Sequence, residues 1–314
     1  MKHTLFSLLF VGAALGSLAG EPAAPAPAAE PAAKPFSGSV TLGYISNVTR
    51  RGIVASHCAT EGDSVEFAAL KMDYDFGKPG LWSFESTTSY GIPTSGHNMF
   101  GHPKMGPQMG PYAGRPLPLI NLENELMLKN GFRYKQEKWN VAAGHNFFHG
   151  GPLGVVAKHY RKQSASCVNE VFVQTELTPY KWVALGCTTN YSFHGVTGWW
   201  FEPYLQFKAP IIGTKENVKL AGVVEFGGSF TADYFAAPYN ACNNGSQAYF
   251  VKLSTPWYVT ERFILTPSVS FNWLGKGGLK ANENSQIRKV TQDATMVPFR
   301  NFCVVGSFAA TYKF

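Results

Sequence analysis

Residues 301–314 read Asn-Phe-Cys-Val-Val-Gly-Ser-Phe-Ala-Ala-Thr-Tyr-Lys-Phe. Phe302, Val304, Gly306, Phe308, Ala310, Tyr312 and Phe314 share one phase; Asn301, Cys303, Val305, Ser307, Ala309, Thr311 and Lys313 share the other. Successive strand side chains point to opposite faces, so this stretch predicts a strand with one apolar, aromatic face and one small or polar face.

Working back from the C-terminus, the same split recurs. Phe263, Leu265, Val269, Phe271 and Trp273 oppose Thr266, Ser268, Ser270 and Asn272. Trp199, Phe201, Leu205 and Phe207 oppose Glu202, Tyr204, Gln206 and Lys208. Ile120, Leu122, Leu126 and Leu128 oppose Asn121, Glu123 and Glu125, and Trp82, Phe84 and Tyr90 oppose Ser83, Glu85, Thr87 and Ser89. Alternation falters near Ala68-Ala69, which predicts a bulge or a shifted register within 65–76. From Ser39 onward about twelve such runs follow one another, and none has a sustained helical period.

The connections sort by length. Short ones fall near 77–80, 134–138, 178–181, 209–216 and 255–261, with a brief one near 194–196. Long ones fall near 47–63, 91–118, 150–166, 231–246 and 275–298. Alternating short and long connections predict an all-β fold: a transmembrane antiparallel up-and-down β-barrel of about twelve strands, with short periplasmic turns and long extracellular loops.

The distribution of charge decides which face meets lipid. Glu85, Glu123, Glu125, Glu170, Glu202, Glu225, Lys208, Lys219 and Lys252 sit on the polar phase, which makes them candidate lumen and selectivity residues. Charged residues make up only 15% of the 314, against a usual ~25%. That is too few to clothe a soluble domain of this length. Aromatics reach 14%. Trp82, Trp139, Tyr180, Trp182, Trp257, Tyr258, Tyr312 and Phe314 are placed at the short-turn end. Tyr90, Phe147, Phe148, Tyr191, Trp199, Trp273 and Phe302 are placed at the other, as two interfacial belts require.

The N-terminus reads as an export signal. Lys2 and His3 precede the apolar stretch Thr4–Gly16, and Ser17-Leu18-Ala19 offers a cleavage site, so 1–19 is assigned as a signal peptide. Residues 20–36 are a Pro/Ala-rich periplasmic linker, stiff and solvated, and 37–314 form the barrel. The expected location is the bacterial outer membrane.

The run Phe308–Phe314 resembles the terminal strand signal of bacterial outer-membrane barrels, which end in Phe with apolar or aromatic residues at alternating positions before it. That resemblance implies recognition of Phe308, Tyr312 and Phe314 by the barrel-assembly machinery. Residues 43–52, Gly-Tyr-Ile-Ser-Asn-Val-Thr-Arg-Arg-Gly, resemble the first hairpin of porins of the TorF type: Tyr44, Ser46, Arg51 and Gly52 match, while Thr49-Arg50 stands where an aromatic is usual. The resemblance implies passive diffusion rather than catalysis.

The formal net charge of +7 concentrates in the long loops and strand mouths, at Arg50, Arg51, Lys158, Arg161, Lys162, Lys276, Lys280, Arg288, Lys289 and Arg300. A basic mouth attracts anionic solutes and lipopolysaccharide phosphates. No motif suggests nucleic-acid binding. Cys58, Cys167, Cys242 and Cys303 fall toward the long-loop end and are candidates for two disulfides, with Cys187 a reduced wall residue. His97, Met99, His102, Met105 and Met109 in the Gly91–Pro118 loop are soft donors at irregular spacing; that loop is read as a constriction, with no metal or cofactor expected.

The leading expectation is a porin-like channel for small hydrophilic, anionic solutes. A second is a closed barrel whose disulfide-stapled loops bind a surface ligand. A third is a lipid hydrolase built on Asn190, Ser192 and His194, which share one phase and resemble the Asn/Ser/His set of outer-membrane phospholipases.

Overall fold

Strand after strand pairs antiparallel with its sequence neighbour, and the last pairs with the first. The computed structural model describes residues 36–46, 49–50, 53–54, 64–76, 81–93, 125–149, 167–194, 197–214, 217–236, 241–242, 244–283 and 301–314. The twelve staves are β1 (Phe36–Ile45), β2 (Val65–Phe76), β3 (Trp82–Pro93), β4 (Glu125–Lys135), β5 (Trp139–His149) and β6 (Cys167–Tyr180), then β7 (Val183–His194), β8 (Thr197–Gly213), β9 (Val218–Ala236), β10 (Gly245–Ser254), β11 (Phe263–Leu274) and β12 (Phe302–Lys313). Two-residue strands at Ala241–Cys242 and Trp257–Tyr258 extend the sheet locally. Among the described residues, one helix, α1 (Lys276–Glu283), follows β11.

Closure is made by β12 against β1, from Ser39 opposite Lys313 to Ile45 opposite Ser307. Phe314 N donates to Gly38 O at 3.0 Å, so the chain end completes the seam. A closed barrel leaves no unpaired edge, which a strand crossing hydrocarbon requires.

The expected faces hold along most staves. Leu42 is 60% exposed and Phe132 57%, with Val171, Leu205, Phe226, Val304 and Phe308 also open to the surroundings. Most inward positions are small or polar, with Phe67, Phe148, Phe172, Trp200 and Phe250 among the inward aromatics. Trp82–Tyr134 and Tyr180–Trp182 pair at the short-turn end, and Tyr191–Trp199 and Trp273–Phe302 near the other, with centroids 4.6–5.6 Å apart. Such rings suit the two membrane interfaces.

Four expectations need correction. β2 carries no bulge: its registers with β1 and β3 run unbroken, Phe67, Ala69 and Lys71 face in, and Ala68 and Leu70 face out. Phe148 is 3% exposed and faces the lumen, so it is not part of the outer belt. The predicted turn at 209–216 is largely strand, because β8 runs to Gly213 and β9 starts at Val218, with register shifts at Pro210/Ile212 and Ile212/Gly213 that bend the hairpin. The outer face is also not uniformly apolar: Ser86 Oγ donates to Asn130 Oδ1 at 2.7 Å, and His145 Nε2 lies 3.0 Å from Asn169 Oδ1, forming a polar row around β3–β6. Partners on the neighbouring strand reduce the cost of polar groups on a lipid-facing surface. The signal peptide, the linker up to residue 35 and most long-loop residues lie outside the described residues; β1 begins at Phe36, one residue inside the assigned linker.

Candidate functional site: the lumen wall

Inward phase places charged side chains from successive staves at similar height, and they bond around the wall. Lys71 on β2 stands 3.1 Å from Asp73 and 3.8 Å from Glu85 on β3. Arg133 on β4 grips Glu85 with two nitrogens, Nε to Oε1 and Nη2 to Oε2, the latter at 2.9 Å. A planar guanidinium on both carboxylate oxygens fixes direction as well as charge. Arg133 Nη1 donates to Asn140 Oδ1 on β5 at 2.6 Å, and Asn140 Nδ2 donates to Glu176 Oε1 on β6 at 2.9 Å. Tyr204 on β8 then reaches across β7 to donate its hydroxyl to Glu176 Oε2. The reach is open because β7 has Gly186 there; a Cβ would stand 2.8 Å from the tyrosine ring. The belt thus runs unbroken from β2 to β8.

A second run lies nearer the long loops. Ser192 donates to Glu170 Oε1 at 2.6 Å, Asn146 donates to Asn190 Oδ1 at 3.3 Å, and Asn190 donates to Glu202 Oε2 at 3.1 Å. Glu170 and Ser192 are fully buried. Lys129 stretches from β4 over the Phe172 ring, 4.4 Å from its centroid, and donates to Gln174 Oε1 at 3.5 Å. On the far side Gln206 donates to Glu225 at 2.9 Å, and Lys252 is the register partner of Glu225.

From β11 through β12 to β1 the wall changes character. Thr41 and Thr311 hydroxyls meet at 2.9 Å, Ser268 and Ser307 at 2.5 Å, and Asn272 donates to Ser270 Oγ at 2.9 Å. Apart from Lys313 at the short-turn end, this arc carries no charge on its inward positions, and hydroxyls line much of it, facing a charged arc of β2–β10. Inward aromatics on the charged arc lie over neighbouring glycines, Phe67 on Gly43 and Phe250 on Gly227, filling gaps that would otherwise open the sheet.

Glu85, Glu170, Glu202 and Glu225 occupy inward positions on β3, β6, β8 and β9. Lys208 shares the inward phase of β8 but is exposed at the short-turn rim, where Nζ donates to the Tyr258 hydroxyl at 3.2 Å. Lys219 is exposed at the start of β9. Glu125 opens β4, and Glu123 lies outside the described residues. Sequence phase missed Lys71, Asp73, Lys129, Arg133, Asn140 and Glu176. Lys129 and Arg133 share the phase of Glu125, so carrying that strand further would have found them.

The basic mouth residues Arg51, Lys158, Arg161, Lys162, Arg288, Lys289 and Arg300 lie outside the described residues, as does the Gly91–Pro118 loop beyond Pro93; Arg50 falls in the two-residue strand Thr49–Arg50. The two-disulfide expectation is corrected. Cys167, which opens β6, is free, and Cys303 faces inward to pack with Val305 and Ile45. Cys187 is free as expected, on β7; Cys58 and the Cys242 side chain lie outside the described residues. The Asn190/Ser192/His194 set does not assemble as a nucleophile and base: the Ser192 hydroxyl donates to Glu170, while His194 is exposed at the end of β7.

A closed antiparallel barrel, apolar outside, polar inside and ringed by aromatics at both ends, is an outer-membrane β-barrel of porin-like build. Among solved structures the chain is similar to the NanC porin (11% identity, 88% of this chain and 100% of that chain, TM-score 0.45). It is also similar to the KdgM porin (6%, 88% and 99%, TM-score 0.42) and to an outer membrane channel from Pseudomonas putida F1 (6%, 91% and 100%, TM-score 0.47). No protein-family model matches the chain, and neither does any curated protein sequence.

Proposed function

We propose that this barrel is a porin-like channel for passive diffusion of small hydrophilic solutes across the outer membrane. The observation that carries the reading is the charged belt. Ions in a dry interior cost several kcal/mol each even when paired. A row of them from β2 to β8 calls for a hydrated lumen, and twelve staves stand between the side-chain-filled eight and the open sixteen.

Two features pull on solute charge. The basic residues read from the sequence at the long-loop mouth favour anions. The wall carries both signs: by inward strand position Asp73, Asp75, Glu85, Glu125, Glu170, Glu176, Glu202 and Glu225 are matched by Lys71, Lys129, Arg133, Lys135, Lys208, Lys219, Lys252 and Lys313. Anion passage is the first reading of selectivity; cation passage is the second, favoured by Glu170, Glu176 and Glu202 gathered on β6–β8. Lipid meets the outer face, lipopolysaccharide phosphates meet the basic rim, and the assembly machinery engages Phe308, Tyr312 and Phe314.

Swelling of proteoliposomes in isotonic small sugars tests the channel, and the rate should fall steeply as the sugar grows. Vesicles that hold folded barrel yet swell no faster than empty ones would contradict it. Separate anion and cation uptake from the same vesicles then ranks the two selectivities.

A further inference from the structure

Helix α1 has no role in the belt, yet the wall is shaped to receive it. It follows β11 at the long-loop end, where Leu274 and Ala248, opposite one another in register, are both buried. Leu274 continues the inward phase of Ile264, Asn272 and their neighbours, while Trp273 beside it faces out at 41% exposure. Something therefore covers the inner side of β10 and β11 at this height.

The covering element is the start of α1. Gly275 N donates to Gln247 O at 2.8 Å, and Lys276 N donates to Ser246 Oγ at 3.2 Å. Gly277 and Gly278 are buried against the strand: a Cβ at Gly277 would stand 2.3 Å from Gln247 Nε2, and one at Gly278 would stand 2.9 Å from Leu274 Cδ2. Gln247 in turn donates to Thr231 Oγ1 on β9 at 2.9 Å, so the seat spans three staves. Two consecutive glycines let the helix backbone lie directly on a strand.

A helix turns 100° per residue, so the face opposite Gly277 and Gly278 carries Lys276, Leu279, Lys280 and Glu283. All four are exposed. With its glycine face against the inner wall, that opposite face looks across the mouth toward the barrel axis. We infer that α1 is a fixed ledge folded into the long-loop mouth, and that Lys276 and Lys280 present its net positive charge to entering solutes. The ledge narrows the entrance on the β9–β11 side and raises local anion concentration before the charged wall is reached.

This inference rests on the channel reading. The test is the anion-to-cation permeability ratio of the folded, bilayer-inserted protein in a KCl gradient, wild type against Lys276→Gln/Lys280→Gln. The double variant keeps the glycine seat and should lower the chloride preference by about twofold or more. Gly277→Val, which drives a side chain into Gln247 and the Ser246 carbonyl, should unseat the ledge and raise single-channel conductance. A conducting wild type whose permeability ratio is unchanged in the double variant overturns the ledge alone, as does unchanged conductance in a folded Gly277→Val barrel. A folded, inserted wild type that carries no current overturns the channel reading and the ledge's part in selection with it.

Discussion

At the scale of single residues, Arg133 and Gly186 hold the belt together in different ways. Arg133 spends three nitrogens on Glu85 and Asn140. Arg133→Met leaves the Glu85 carboxylate only Lys71, 3.8 Å away, and should destabilise the barrel by about 1.5–3 kcal/mol, read from urea unfolding in lipid. Glu85→Gln added to it should recover part of that loss, since the uncompensated charge is gone. Gly186 acts by absence. Gly186→Val pushes against the Tyr204 ring and the Thr175 carbonyl, with an expected cost of about 1–3 kcal/mol in the same assay. The sequence shows Glu176 and Tyr204 as two polar residues on different strands. Their bond is invisible there because it crosses an intervening stave, and only the missing side chain of Gly186 allows it.

At the scale of elements, legibility followed contrast between faces. β12 alternates large apolar and small polar residues, and its faces are as read. β2 places alanines on both faces at Ala68-Ala69, so its pattern loses contrast, and the reading supplied a bulge that the registers do not contain. That misreading hid Lys71 and Asp73. The row at Ser86, Asn130, His145 and Asn169 was hidden for the opposite reason: an outer face is expected to be apolar, and this one carries hydrogen-bonded polar pairs. The cysteine reading stopped short of direction: Cys303 stands at the long-loop end of β12 but faces inward, packed with Val305 and Ile45. Two element-scale outcomes follow. Leu42→Arg, on the outer face of β1, should cost about 2–4 kcal/mol near the bilayer midplane. Thr41→Arg, one residue away and facing the lumen, loses only its hydroxyl bond to Thr311, about 1 kcal/mol. Equal costs would mean that the faces are wrongly assigned. Removing Phe314 takes away the backbone bonds to Gly38 and the ring contact with Phe36, so less protein should reach the heat-modifiable folded form on gels.

At the scale of the whole molecule, the barrel joins two solvents. Lipid meets one phase of every stave, and the other phase builds a lumen with a charged arc and a hydroxyl arc. On the proposed channel reading, charge on β2–β10 keeps the lumen hydrated beside the hydroxyl-rich arc of β11, β12 and β1. The central claim is that this lumen conducts. Single-channel recording of the refolded protein in a planar bilayer tests it most directly. The account predicts discrete conductance steps, with a reversal potential in a salt gradient that moves when wall or ledge charges are neutralised. A folded, inserted barrel that gives no steps would contradict it, and the long loops would then be the functional surface.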